Sequence, residues 1–325
     1  MTPYFGLRSY QDGGKHYDGQ IGAEATPAEF VDALIAATRE MVRVVKPSGS
    51  IWVNLGDKYA AGSTPGPQSA STTMTGGAHK GVSNITKRTL GTDCVKQKSL
   101  LGIPWRYAIR CIDELGLILR AEVIWSKPNG MPESVTDRVR RSHEQWFHFT
   151  RQPRYYSAVD EIREPHVATQ TGRDTTAWRP GPNYPNRGTH VGVRHEDGGR
   201  VADFALSPLG KLPGSVWQVA TEPLRVPESL GVDHFAAFPT EWPRRIIQGW
   251  SPIGATVLDP FGGTGTTALC ADVLGRHGIS VDMSADYCRL AQWRTADPKQ
   301  RAHAARVAQP PAVPDGQLDL FCGAV

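Results

Sequence analysis

The sequence predicts an α/β fold, and three stretches carry that prediction. Thr26-Pro27-Ala28-Glu29 opens a helix: Thr26 caps it, Pro27 suits the first helical position and Glu29 completes a capping box. Phe30, Leu34, Ala37, Met41 and Val44 recur on one face. The helix stops near Lys46, before Pro47, and Ser48-Gly49 turns the chain into an apolar strand from Ser50 to Leu55. A second helix, Leu100 to Leu115, leads through Gly116 into a strand from Leu117 to Trp125. The third stretch, Ala255 to Asp282, reads as strand, glycine turn, helix, second strand and acid.

Composition bounds the chemistry. A chain of 325 residues and 35.4 kDa, 39% hydrophobic and 21% charged, is globular, with one large or two small domains. The net charge of +4 and pI of about 8.8 are compatible with a nucleic-acid partner. Five cysteines (Cys94, Cys111, Cys270, Cys288 and Cys322) are an odd number without a C-x-x-C pair, so a reduced, cytoplasmic chain with no zinc site is expected. No signal peptide or long apolar span is present, so no membrane association is expected.

The turn after Leu258 decides the class of ligand. Gly262, Gly263 and Gly265 permit a tight turn and a close backbone approach. A phosphate-binding loop needs a lysine after its last glycine, and Thr266 and Thr267 stand there instead. A dinucleotide site needs G-x-G-x-x-G with an acid about 20 residues on. Asp282 fits the acid, but the third glycine is not matched. An adenosine without a phosphate to cradle stays open. Asn54 and Asp57 follow a strand at its carboxyl end, where ligands of open α/β sheets bind, although loop capping would also place them there.

The remaining stretches are read in order. Residues 60–98 are rich in Gly, Ser and Thr and carry Lys80, Lys87, Arg88, Lys96 and Lys98, as either a functional loop or a solvated linker. Lys127 follows the strand ending at Trp125, and Pro132 to Arg141 brings Arg138, Arg140 and Arg141. These are solvated charges or contacts to a DNA backbone. A strand from Gln145 to Thr150 comes next. Residues 157–213 are polar and interleave Trp178 and Tyr184 with Arg179, Arg187 and Arg194, as a recognition module or an irregular excursion. The folded pattern resumes at Gly214. Thr240 is expected to cap a helix from Glu241 to Gly249, and Ser284 one from Ala285 to Ala296. A flexible tail, 299–325, ends in Gln317-Leu318-Asp319-Leu320-Phe321.

Three stretches together resemble the DNA amino-methyltransferases, in the permuted class that places the catalytic motif before the cofactor motif. Asp259-Pro260-Phe261-Gly262-Gly263-Thr264-Gly265-Thr266 resembles that family's D-P-F-x-G-x-G-T signature. His234 to Glu241, and Ile124 to Val135 with His143-Glu144, add to it over roughly residues 1–165 and 212–295. The resemblance implies a Rossmann-like, mostly parallel sheet and S-adenosylmethionine as cofactor. It implies transfer of a methyl group to an exocyclic nitrogen of cytosine (N4) or adenine (N6) in double-stranded DNA. By the same resemblance Asp259, Phe261, Gly262, Gly263, Gly265 and Thr266 line the cofactor, Asp282 takes its ribose, and Phe238, Pro239 and Thr240 close the other side.

The start of the chain departs from the family pattern. Pro3-Tyr4-Phe5-Gly6-Leu7-Arg8-Ser9-Tyr10 resembles S-P-P-Y-W-G-L-R-D-Y, so Pro3 and Tyr4 match the last two positions of the catalytic motif. Met1 and Thr2 stand in the first two, and the strand that carries this motif in the family has no residues here. Either the start is truncated, the preferred reading, or the chain is inactive as given. The remnant leans to the Ser-type motif and hence to cytosine. Gln317, Leu318, Leu320 and Phe321 resemble the bacterial sliding-clamp-binding motif Q-L-x-L-F, implying a clamp as partner. The expected organisation is a catalytic half over 1–156, a target-recognition region over 157–213, a cofactor half over 214–298 and the tail. The rival readings are a non-catalytic DNA-binding protein on the same fold, an RNA or small-molecule methyltransferase and, more remotely, a nicotinamide dehydrogenase.

Overall fold

The structure, a computed structural model, describes residues 2–6, 11–12, 15–16, 19–60, 95–130, 132–165, 209–232 and 238–308. The chain divides into two compact units, Met1–Ala158 with Ser215–Val325, and Val159–Gly214. In the first unit, β1 (Gln11–Asp12) and β2 (Lys15–His16) form a short antiparallel pair. Helix α1 (Pro27–Val44) has the expected capping box at Thr26 and Glu29 and buries Phe30, Val31, Leu34 and Ile35. Helix α2 (Ile103–Leu115) starts at Ile103 rather than Leu100, because Gly102 takes a left-handed conformation (φ 70°) that a helix interior does not allow. Thr38 Oγ1 lies 2.7 Å from the Tyr107 hydroxyl, and Arg110 pairs with Asp32, so α1 and α2 run antiparallel.

Strands β3 (Ser50–Leu55), β4 (Ile118–Ser126), β5 (His143–Thr150) and β6 (Val216–Gln218) form a sheet in the order β3-β5-β4-β6. The expected mostly parallel sheet is corrected here. β5 is antiparallel to both β3 and β4, and only β4–β6 is parallel, so this sheet is mixed. The physical reason lies between β4 and β5. No described residue there is helical, and a chain that returns without a crossover helix pairs antiparallel. β6, which follows residue 214 in the chain, extends this sheet by pairing with β4.

Helices α1 and α2 cover this sheet through Phe30, Leu34, Leu55, Ile103, Phe147 and Phe149. Helix α3 (Glu241–Trp250) ties it to the rest of the unit. The Trp242 indole stacks on Trp146 of β5 at 4.9 Å and on Trp217 of β6 at 4.8 Å. Strands β7 (Thr256–Asp259) and β8 (His277–Ser280) form a parallel pair joined by helix α4 (Thr266–Val273) as crossover. Among the described residues, β3 pairs only with β5, and β7 only with β8.

Helices α5 (Ala285–Ala296) and α6 (Pro298–Ala308) complete the unit. α6 corrects the expectation of a flexible tail from residue 299. Asp297 accepts the Gln300 N–H at 2.9 Å, Pro298 follows in the first turn, and Ala304 is buried against Ile247 and Leu269. In the second unit a 3₁₀ turn (Val159–Ile162) precedes a bridge between Glu164 and Lys211, and Arg163 donates to the Gly210 carbonyl at 2.7 Å. Residues 61–94, the aromatic and basic residues from Trp178 to Arg194, and the Gln317–Phe321 pentad lie outside the described residues. Among the described residues no helix is long and apolar enough to cross a membrane, and no His, Cys, Asp and Glu cluster could hold a metal ion. Cys111, Cys270 and Cys288 are free, and burial pushes the Cys111 and Cys270 thiols up to about 12.

Candidate active site

The glycine turn between β7 and α4 is held from inside. Asp259, 7% exposed, accepts the Phe261 N–H at 3.1 Å on one oxygen and the Thr267 hydroxyl at 2.6 Å on the other. Its carboxylate therefore fastens the end of β7 to the first turn of α4. Asp282, half-buried after β8, accepts the Gly263 N–H at 2.9 Å and the Ser284 N–H at 2.9 Å, one on each oxygen. Gly262 N–H donates to the Val281 carbonyl at 2.8 Å, so both strand ends and the turn form one assembly.

Most of the glycines serve packing. A Cβ on Gly262 would sit 1.8 Å from Ser280 Oγ, and one on Gly278 would sit 2.7 Å from the Ala268 Cα. Gly265 (φ 71°) lies equally close to Ala291. Gly263 differs: its φ is 49°, and an added Cβ would meet nothing nearer than the Phe261 carbonyl at 4.0 Å. That is open space beside Asp282. Each carboxylate oxygen can accept two hydrogen bonds, so Asp282 keeps acceptor capacity after its two backbone bonds. Open space, spare acceptors for paired hydroxyls and a turn without a lysine fit an adenosine-bearing cofactor, and no group in the turn answers to a phosphate.

Thr266 is fully buried and is not a surface group of the turn. Its hydroxyl and that of Thr264 lie 3.0 Å apart, and Arg294 Nη1 donates to both, at 2.6 and 2.9 Å. Arg294, 2% exposed, comes from the last turn of α5, where the helix dipole favours a cation, and burial pulls its pKa down. Nothing in the sequence pattern marks Arg294 as part of the turn.

Phe238, Pro239 and Thr240 are all buried at the start of α3. Phe238 lies 6.3 Å from the Trp146 ring, and the Thr240 carbonyl accepts from the Cys270 thiol of α4 at 3.7 Å. The expected N-cap at Thr240 is corrected: its backbone is already helical (φ −61°, ψ −24°) and its hydroxyl makes no cap bond. Instead its N–H and hydroxyl both donate to Glu222, at 3.0 and 2.9 Å, and His303 of α6 lies 2.7 Å from the other Glu222 oxygen. The sequence reading missed Glu222.

Tyr4 sits at the carboxyl end of β3. Its hydroxyl lies 2.6 Å from Glu144 Oε2 and 3.2 Å from Asn54 Oδ1. Asn54 is fully buried: its amide donates to the Gln145 carbonyl at 3.1 Å and its own carbonyl accepts from the Thr2 hydroxyl at 2.8 Å. Lys58, whose pKa burial lowers, donates to the Gly6 carbonyl at 3.0 Å. Asp57 caps α2 from a distance, accepting the Gly102 and Ile103 N–H groups at 3.1 and 3.2 Å. On β5 the side chains of Glu144 and Trp146 share one face. One strand thus reaches Tyr4 through Glu144 and Phe238 through Trp146.

The four cations expected at DNA already have partners within the protein. Lys127 pairs with Glu144 and lies 4.1 Å from the Trp125 ring centroid. Arg138 stacks on Tyr59 at 3.7 Å and donates to Glu133 at 2.7 Å; Arg140 donates to the Gly130 carbonyl at 2.9 Å. Arg141 donates to the His143 carbonyl at 3.3 Å and lies 3.6 Å from Asp57. A guanidinium carries five N–H donors, and Arg141 spends a further one on Gln145 Oε1 at 3.3 Å.

The profile of the DNA methylase family matches residues 2–293. The chain is 32% identical over 292 residues to the Type II methyltransferase M.SmaI of Serratia marcescens, covering 90% of this chain and 81% of that protein. It is 31% identical over 293 residues to the Type II methyltransferase M.Cfr9I of Citrobacter freundii, covering 89% and 77%. Among solved structures, a PvuII DNA methyltransferase described as cytosine-N4-specific shares the fold, with a TM-score of 0.54 at 18% identity, over 87% of this chain and 76% of that one. The chain belongs to the DNA methylase family, the S-adenosylmethionine-dependent enzymes that methylate an exocyclic amino nitrogen of cytosine or adenine in DNA.

Proposed function

We propose that this chain is a site-specific methyltransferase of duplex DNA whose target is the N4 nitrogen of cytosine, with Gly263 and Asp282 at the cofactor and Tyr4 at the base. The observation that carries the reading is Asp282, which organises the turn through Gly263 and Ser284 while keeping acceptors for ribose hydroxyls. S-adenosylmethionine, when bound, supplies an electrophilic methyl group on a sulfonium. The protein's part is to hold the acceptor. The amino nitrogen of a base is planar, with its lone pair drawn into the ring, so acceptors on its protons and a fixed base plane favour attack. Tyr4 offers the aromatic face for a base turned out of the duplex. Phe238, Pro239 and Thr240 form the buried wall on the α3 side.

The finer parts of the reading belong to the same proposal. The catalytic motif precedes the cofactor motif, residues 157–213 read the target sequence, and the Gln317–Phe321 pentad docks on a sliding clamp. β3 and β7 each lack a strand partner on one side among the described residues, and exposed strand edges seek partners. A further strand ending in the catalytic motif would satisfy both.

The test is methyl incorporation from labelled cofactor into duplex DNA, followed by sequencing that locates the modified base. Incorporation at N4 of cytosine within one short sequence is expected. Modification of adenine N6 would overturn the choice of base, and label entering RNA but not duplex DNA would select the RNA rival. Extending the chain by a strand ending in Ser-Pro-Pro-Tyr should raise incorporation, and an unchanged rate would remove the strand proposal. Binding of a 317–321 peptide to a purified clamp, lost on Leu320→Ala with Phe321→Ala, is the corresponding test for the tail.

A further inference from the structure

Tyr4 is constrained at its main chain and at its hydroxyl. Gly22 has a φ of 103°, and a Cβ there would fall 2.7 Å from the Tyr4 carbonyl oxygen, so the 19–22 turn clamps the main chain. A Cβ on Gly56 would lie 3.5 Å from Tyr4 Cζ and 3.7 Å from both Cε atoms, so the bare glycine leaves room beside the ring and does not itself fix it. The hydroxyl is anchored on Glu144 at 2.6 Å, with Asn54 Oδ1 within reach at 3.2 Å. Glu144 is only 9% exposed, and its other oxygen takes the Lys127 ammonium, which rests against Trp125.

Such a pair is a poor device for stability alone. Desolvating a carboxylate and an ammonium roughly cancels their attraction, so apolar residues of the same volume would serve the fold as well. The pair does achieve one thing that apolar packing cannot. It places a charged acceptor, itself fixed by a second charge, at the end of the Tyr4 ring. The chemistry served rewards precision, because a misplacement of about 1 Å at a reacting centre can cost on the order of 100-fold in rate.

We infer that Glu144, held by Lys127, is a positioning residue for methyl transfer, fixing the Tyr4 ring on which the target base stacks. The inference rests on the methyltransferase reading above and deepens it. It also gives Lys127 a role inside the site in place of a contact to the DNA backbone.

Two readouts test it, and the first does not need activity. The whole chain is labelled with 3-fluorotyrosine, and the Tyr4 resonance is identified by its loss in Tyr4→Phe. Glu144→Leu should shift and broaden that resonance. Glu144→Gln, which keeps an acceptor for the phenol, should restore most of its position, and Lys127→Met should move it part of the way. The second readout is steady-state methyl transfer. Glu144→Leu should lower kcat roughly 10-fold with the Kd for S-adenosylmethionine unchanged, and it should add nothing in a Tyr4→Phe background. An unmoved Tyr4 resonance, or additive losses in kcat, would overturn the inference. A general loss of the folded spectrum in Glu144→Leu moves the decision to Glu144→Gln and Lys127→Met, judged by the same criteria. If the Tyr4 resonance responds as expected but neither the wild-type chain nor its extension by a strand ending in Ser-Pro-Pro-Tyr transfers a methyl group, the coupling stands and the methyltransferase reading falls.

Discussion

The two halves of the proposed site are built on different length scales. In the cofactor half the organising bonds are local: Thr267 to Asp259 spans 8 residues and Gly263 to Asp282 spans 19. In the base half, Tyr4 reaches Asn54 across 50 residues and Glu144 across 140. The first half is one supersecondary unit, strand, turn, helix and strand, whose parts are positioned by its own backbone. The second exists only once β3, β5 and the chain start have come together. Local units lose less chain entropy on closing than remote contacts do, so the cofactor half should tolerate damage elsewhere better than the base half.

The largest expected effect at neutral pH tests the packing of the local half. Gly278→Ala would press a Cβ against the Ala268 backbone, with Cα at 2.7 Å and the carbonyl oxygen at 2.8 Å, and backbone cannot step aside. A loss of about 3 kcal/mol in urea unfolding is expected; a loss below about 1 kcal/mol would show that α4 and β8 are less tightly docked than their geometry indicates.

Asp282→Asn tests whether the same half holds a ligand. It removes the charge behind the remaining acceptors and should weaken S-adenosylmethionine binding roughly 10–100-fold by calorimetry. Equal affinity would move the ribose contact elsewhere.

Acid should act on the sheet of the base half. His148 is buried against Trp52 with Ser50 Oγ at 2.9 Å, and desolvation, reinforced by Arg120, depresses its pKa from 6.5 to about 3. The unfolded chain binds this proton below pH 6.5 and the folded chain does not until about pH 3. Stability is therefore complete above 6.5 and falls as pH drops through that window, by about 1 kcal/mol per pH unit. His148→Phe should flatten the stability profile between those limits, and an unchanged slope would assign the acid sensitivity to another group.

Gly263→Ala has the smallest expected effect on stability, about 1–2 kcal/mol from the left-handed backbone alone, because its Cβ meets open space. The same substitution should weaken the cofactor more than it weakens the fold, which separates ligand space from packing space within a single turn.

Much of the cofactor half was legible in the sequence for this reason. The glycines before Thr266 and the acid at Asp282 are patterns within a few turns of chain, where residue type and backbone geometry are directly coupled, as they are at the Thr26 capping box of the other half. The helix Pro298–Ala308 is equally local, with Asp297 and Pro298 as its start signal. Roles within the turn were less legible. Thr266 faces inward to Arg294, and Asp259 is consumed by the turn itself, because burial and bonding partner are not functions of residue type.

By itself the sequence determined the α/β class, the position of the glycine turn, the cofactor type through its resemblance, and the ends of several helices. Each of these depends on interactions between residues close in the chain. Only the tertiary structure decided that β5 runs antiparallel to its neighbours, that Thr240 answers to Glu222, and that Tyr4, Glu144 and Lys127 meet. Those arrangements depend on which buried polar groups find partners when distant segments pack, and each had several partners to choose among until the fold closed.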